Sequence, residues 1–137
     1  MKVYIAGNLS IKSERDFLEK IDKVCKGFGL KTFLPHRDVG FWEDLKNVKK
    51  VLKKDLEGFK GCNLLIASLN GFNLGAGTAW EMGYAYAKNI PIIAIKTDRK
   101  IEDSIEEISA IVAGTTKIVT SLNDLKKEAK NFVKKSK

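Results

Sequence analysis

The chain has 137 residues, 44% of them hydrophobic and 31% charged, with a formal net charge of +8. That length holds one domain with a sizeable core and leaves no room for two of ordinary size. No run approaches the roughly 20 apolar residues that cross a bilayer, and the opening MKVYIAGNLS lacks the basic segment and cleavage site of a secretory leader; a cytoplasmic protein with no membrane partner is expected.

Residues 2–6, KVYIA, read as a short strand, and the loop GNLSIKS leads into a helix with apolar positions at 17, 18, 21, 24, 25 and 28. Ser13 is its predicted cap and Gly29 its stop. LKTFLP, 30–35, is a second strand, closed by Pro35 and the loop HRDVG. Apolar positions 45, 48, 52, 56 and 59 predict one long helix over 42–60. NLLIASL, 63–69, is a continuous apolar run, the mark of a strand covered on both faces.

The loop NGFNLGAG precedes a helix at 78–88, stopped by Asn89, and IPIIAI, 90–95, is a fourth buried strand. SIEEISAIVAG predicts a helix over 104–114, TKIVT a fifth strand, and Ser121 caps a last helix through Phe132 and Val133. Five alternations of strand and helix predict an α/β fold: a doubly wound five-stranded parallel sheet, flavodoxin-like or Rossmann-like, with helices on both faces. No linker, repeat or low-complexity tract divides it, so residues 1–137 form a single domain. The usual strand order for such a sheet, 2-1-3-4-5, puts the ligand at the carboxyl ends of strands 1 and 3, where GNLS and NGFNLGAG meet.

The lysines at 46, 49, 50, 53 and 54, and at 126, 127, 130, 134, 135 and 137, fall on amphipathic helical patterns with acids interleaved. They read as solvated helix faces, and with no aromatic-interleaved basic strand a nucleic-acid partner is not expected. Cys25 and Cys62 sit among apolar neighbours without CxxC spacing, and a single histidine is available to join them. Free thiols and no metal site are the expectation.

Within GAGTAWEMGYAYA, residues 75–87, one ionisable side chain stands alone: Glu81. Gly71, Gly75 and Gly77 let backbone approach a ligand, and the helix start offers free N–H groups to the same space. Ala79, Gly83 and Ala87 form a small-residue stripe suited to close packing on the sheet. Thr78 and Glu81 have the S/T-x-x-E spacing of a capping box, so a backbone-capping role stands beside a catalytic one. The glycines match neither GxGxxG nor a Walker loop. A second carboxylate, Asp55, falls on the apolar arc of its helix among Leu45, Leu52, Leu56 and Phe59, where a charge needs a partner, such as a nearby lysine, or a purpose.

YIAG at 4–7, DLEGFKGCNLLIA at 55–67, GTAWEMGYAYAKNIPII at 77–93 and IKTD at 95–98 together resemble the nucleoside 2-deoxyribosyltransferase family, which includes the 2-deoxynucleoside 5-monophosphate N-hydrolases. The likeness runs from Met1 to about Gly114. It implies that Glu81 is the nucleophile that attacks the sugar C1 carbon, that Asp55 contacts the base and protonates it, and that Tyr4 lies beside both sugar and nucleophile. A carboxylate suits an oxocarbenium-like transition state because it stabilises the developing charge and then captures it. By the same resemblance Gly7 and Asn8 line the sugar or phosphate side, and His36, Arg37 and Asp38 flank the base pocket. Ser109 matches a serine that reaches a phosphate from a neighbouring subunit, which implies a homodimer or a larger homo-oligomer.

Two positions depart from the pattern. Six residues before the nucleophile the transferases carry an aspartate and the monophosphate hydrolases a serine, where this chain has Gly75; near the start of strand 3 a family aspartate is Asn63. The long NGFNLGAGTA loop and IKTD are transferase-like. The expected activity is cleavage of the N-glycosidic bond of a 2-deoxynucleoside, or its monophosphate, with transfer of the sugar to another free nucleobase; hydrolysis and a non-catalytic nucleotide-binding module are the alternatives. Neither a cofactor nor a metal is implied.

Overall fold

A computed structural model describes residues 1–137. Its strands are β1 (Lys2–Ala6), β2 (Lys31–Phe33), β3 (Leu64–Ser68), β4 (Ile92–Ile95) and β5 (Lys117–Val119). They form one sheet in the order β2-β1-β3-β4-β5, parallel at every pairing. The helices are α1 (Lys12–Gly27), α2 (Pro35–Asp38), α3 (Val48–Phe59), α4 (Ala76–Ala87), α5 (Ile105–Ile108), α6 (Ala110–Ala113) and α7 (Leu122–Lys135). None is long and apolar enough to cross a membrane.

The two faces of the sheet make two cores. Val3, Ile5, Leu64 and Ile66 pack with Leu18 and Ile21 of α1 and Leu125 of α7, while Tyr4, Ala6, Leu65 and Ala67 pack with Phe59 of α3 and Met82 and Ala85 of α4. Alternation along each strand sends neighbouring side chains to opposite faces, so a strand covered on both sides must be apolar throughout. All five residues of β3 are buried, which is why NLLIASL shows no polar alternation.

Glycine and asparagine end two helices as their backbones dictate. Gly29, at φ +73, follows α1 and lets the Leu30 N–H return to the Cys25 carbonyl, and Asn89, at φ +56, follows α4. Ser121 caps α7, its hydroxyl accepting the Asp124 N–H at 3.1 Å. Ser13 does not cap α1: the helix starts at Lys12, and the Ile11 carbonyl takes the first N–H groups.

Four expectations shift. The helix predicted from 42 begins at Val48, because the Asp44 side chain accepts the N–H groups of Lys46 and Asn47 and holds that stretch as a turn. Pro35 does not lead into a loop but opens α2, where its missing N–H is harmless. The helix predicted over 104–114 is a 3-10 turn at Ile101–Ser104 followed by α5 and α6, broken at Ser109 by a backbone of φ +72 and ψ 139. The stripe Ala79, Gly83, Ala87 does not meet the sheet. Thr78, Met82 and Ala85 do, and Gly83 and Ala87 are exposed.

Candidate active site

Tyr4 lies mid-strand on β1, fully buried on the α3–α4 face. Its ring stacks on Phe59, with centroids 3.9 Å apart and planes at 10°, and meets Phe33 on β2 at 5.0 Å. Gly58 makes room for this arrangement, since a Cβ there would come within 2.5 Å of the Phe33 ring. The Tyr4 hydroxyl donates to Asp55 Oδ1 at 3.4 Å. Asp55 and Phe59 are four residues apart on α3 and so share a face: one holds the hydroxyl of Tyr4, the other its ring.

Glu81, on α4, lies close enough to Tyr4 for each to shift the other's ionisation, although the Tyr4 hydroxyl donates to Asp55. The cap of α4 is Gly75, with no side-chain capping bond, so Thr78 is the third helical residue and Glu81 lies in the second turn. Glu81 Oε2 is sealed from solvent and has no hydrogen-bond partner. A capping box is therefore absent. An unpaired buried carboxylate oxygen has a cost that a capped one would not have.

Burial raises the Glu81 carboxyl to about 8; the Tyr4 hydroxyl opposes the shift and the Asp55 charge adds to it. Burial also raises Asp55, again opposed by Tyr4. Tyr4 itself is pushed far above its ordinary range, first by burial and then by both carboxylates, so it stays a neutral donor. Both carboxyls beside this one phenol are thus reluctant to ionise.

Gly7 ends β1, and a Cβ on it would come 2.5 Å from Leu18 Cδ2, so glycine lets α1 close on the sheet. Asn8 shapes the next loop, its Oδ1 accepting the Ser10 N–H at 2.9 Å. Gly75 has φ −62 and ψ 140, and a Cβ there would meet only Thr78 Oγ1 at 3.7 Å; at Gly77 it would meet only Glu81 Oε1 at 3.9 Å. The loop NGFNLGAG passes the first turn of α1, where a Cβ on Gly71 would come within 2.5 Å of Glu14 Oε1.

His36, Arg37 and Asp38 lie on α2, and their polar contacts run to α1, to Thr32 on β2, to Leu34 and to one another. His36 Nε2 lies 2.8 Å from Glu19 Oε1, Arg37 bonds the buried Asp22 at 3.1 Å, and Asp38 accepts the Leu34 N–H at 2.8 Å. None of these contacts joins them to Tyr4, Asp55 or Glu81. Ser109 is exposed at the joint between α5 and α6. Cavities of 490 Å³, lined by Lys96–Glu102 and Thr120, and of 290 Å³, lined by Glu14, Asn70, Gly71 and Asp98 among others, include neither Glu81 nor Asp55.

Residue-level reading passed over Phe33 and Phe59, which support Tyr4, and Lys96, a buried cation after β4. For Phe59 the signal was available, four residues after Asp55. For Lys96 it was a lysine directly ending an apolar run.

The chain is thus a doubly wound parallel α/β protein with two carboxyls set beside a buried strand tyrosine. The family model for nucleoside 2-deoxyribosyltransferase matches residues 3–129, and the chain belongs to that family. Among curated proteins nothing matches. Of solved structures, a conserved protein from Enterococcus faecalis V583 is similar with a TM-score of 0.76 and 26% identity, over 96% of this chain and 98% of that one. A 2-deoxyribosyltransferase from the psychrotolerant bacterium Bacillus psychrosaccharolyticus has the same fold, with a TM-score of 0.75 and 20% identity, over 92% of this chain and 90% of that one.

Proposed function

We propose that this protein cleaves the N-glycosidic bond of a 2-deoxynucleoside, or its monophosphate, and passes the deoxyribose to another nucleobase. The observation that carries the reading is the placing of two carboxyls beside Tyr4: Asp55, which accepts its hydroxyl at 3.4 Å, and Glu81, whose buried Oε2 has no partner. In the first half-reaction the Glu81 carboxylate attacks C1, the C1–N bond breaks with its electron pair going to the base, and the Asp55 carboxyl protonates that base nitrogen as it leaves. In the second, a nitrogen of the incoming base attacks C1, the C1–Oε bond breaks, Glu81 is restored, and Asp55 takes the proton. Tyr4 stays neutral throughout and orients both carboxyls.

The raised Asp55 suits a proton donor and the unpaired Glu81 oxygen suits a nucleophile free to attack. Gly7, Asn8, Gly75 and Gly77 line the approach, the first two toward sugar or phosphate. His36, Arg37 and Asp38 act on the base pocket only through the edge they build against α1. Ser109 completes a neighbouring site across a homo-oligomer interface; the exposed Trp80, Tyr86 and Ile111 on the adjacent α4 and α6 support such an interface.

Incubation of deoxyinosine with free adenine, followed by chromatography, tests the reading. Deoxyadenosine and hypoxanthine are the expected products, and they vanish with Glu81→Ala. Free deoxyribose without deoxyadenosine means that water is the acceptor. No turnover of any deoxynucleoside or monophosphate rejects the enzymatic reading.

A further inference from the structure

We propose that Lys96 and Asp98 are positioning residues for the Glu81 reaction, acting through the loop between β3 and α4; the inference rests on the reading of Glu81 as nucleophile. Lys96 follows β4 and is 1% exposed. A buried ammonium is costlier than a methionine of similar shape unless its donors are met, so its presence calls for specific partners. Its Nζ donates to the Leu69 carbonyl at 3.0 Å and to Asp98 Oδ1 at 2.9 Å. The other oxygen of Asp98 accepts the Gly71 N–H at 2.8 Å. Between them Asn70 exchanges two bonds with Thr97, each 2.8 Å long. Leu69, Asn70 and Gly71 are thus held residue by residue, at the point where the chain leaves β3.

From there the loop runs to Gly75 and into α4. Gly75 supplies no side-chain cap, so the start of that helix is fixed through the loop before it. Gly71, at φ +112, leaves no room for a side chain, since a Cβ there would come within 2.5 Å of Glu14 Oε1. Further along, Arg99 donates to the Gly71 and Phe72 carbonyls, each at 3.1 Å, and the Leu74 N–H meets the Glu107 carbonyl at 3.5 Å. The Lys96–Asp98 pair anchors the β3 end of this loop and through it acts on where α4 begins and where Glu81 stands relative to Asp55, although it bonds to neither.

The test pairs Lys96→Met with Asp98→Asn in the full chain. A displaced nucleophile loses rate, not affinity, so kcat for deoxyinosine falls about 10-fold or more while KM stays within about threefold. The double variant is no slower than the slower single one, because both remove one strut. In hydrogen exchange, amides of residues 70–79 lose about 10-fold protection while those of β1 and α1 keep theirs. Unchanged kcat in an enzyme that turns over, or unchanged exchange at 70–79, overturns the proposal. If wild type turns over nothing, the nucleophile reading fails separately, and the exchange measurement still decides whether the pair holds the loop. Asp98→Asn, an isosteric change at a partly exposed side chain, carries the test if Lys96→Met does not fold.

Discussion

The Tyr4 hydroxyl donates to Asp55 Oδ1 across 3.4 Å and so ties the central part of the sheet to α3. Because Glu81 bears on the same hydroxyl from α4, any change in the charge of one carboxyl is felt by the other through a group that does not itself ionise. The chemistry and the stability of this site are thus coupled, and they can be separated by pH.

Glu81→Gln keeps the shape of the side chain and removes the nucleophile, so turnover falls by about 1000-fold or more. Its stability effect has a definite sign. The Glu81 carboxyl is raised from an ordinary 4.5 to about 8, so between those values the unfolded chain is ionised and the folded one protonated. The stability that Glu81 contributes is present below pH 4.5 and lost as pH rises toward 8. Thermal melts at pH 8.5 should show Glu81→Gln more stable than wild type by several kcal/mol, at about 1.4 kcal/mol for each pH unit between those two values, and at pH 4 nearly equal. A variant less stable than wild type at pH 8.5 refutes this.

The proposed mechanism needs one proton on the pair, held by Asp55 when Glu81 is ionised. The profile of kcat/KM against pH is therefore a bell whose upper limb lies near 8 and whose lower limb lies above 3.8, the ordinary value for Asp55. A profile flat from pH 5 to 9 would contradict the shared proton.

Tyr4→Phe removes the hydroxyl that lowers both carboxyls and donates to Asp55. Both limbs of the bell move to higher pH, and kcat falls about 10-fold to 100-fold as the two groups lose their common anchor. Limbs that stay in place would mean that the hydroxyl does not serve the pair.

Asp22→Ala separates structure from substrate contact at α2. Asp22 is buried and pairs with Arg37 at 3.1 Å and with Lys26 at 2.7 Å. Both cations lie near solvent, so the loss is moderate, about 2 kcal/mol in a urea titration, with KM for the base unchanged. A rise in KM without loss of stability would place Arg37 in direct contact with the base.

Ser109→Gly relieves a backbone of φ +72 and ψ 139 that a side chain disfavours. Stability should rise by about 1 kcal/mol. If Ser109 reaches a phosphate across the interface, turnover of a monophosphate drops in the same variant while that of the nucleoside does not.

Much of this fold was legible because buried parallel strands are written as apolar runs: NLLIASL and IPIIAI could hardly be anything else, and five such alternations leave few topologies. Asp55 was legible for the complementary reason, a charge on an apolar arc. The misread boundaries share one cause, local polar or backbone effects that periodicity does not register. Asp44 turns the chain before α3, and Ser109 breaks a helix whose hydrophobic pattern runs straight through it. The start of α4 was misplaced because Gly75 caps without a side chain, and this made the Thr78–Glu81 spacing look like a capping box. The partners of Lys96 and those of the α2 side chains depend on tertiary contacts that a single sequence does not display.

Gly75 has ordinary backbone angles and an empty neighbourhood, so no steric need holds it as glycine. Aspartate and serine, the two residues that the family pattern sets there, are also among the best helix N-caps, worth about 1 kcal/mol over a residue that cannot cap. Either residue at position 75 would therefore strengthen α4. The helix that carries Glu81 thus starts at a position open to change without damage to the fold.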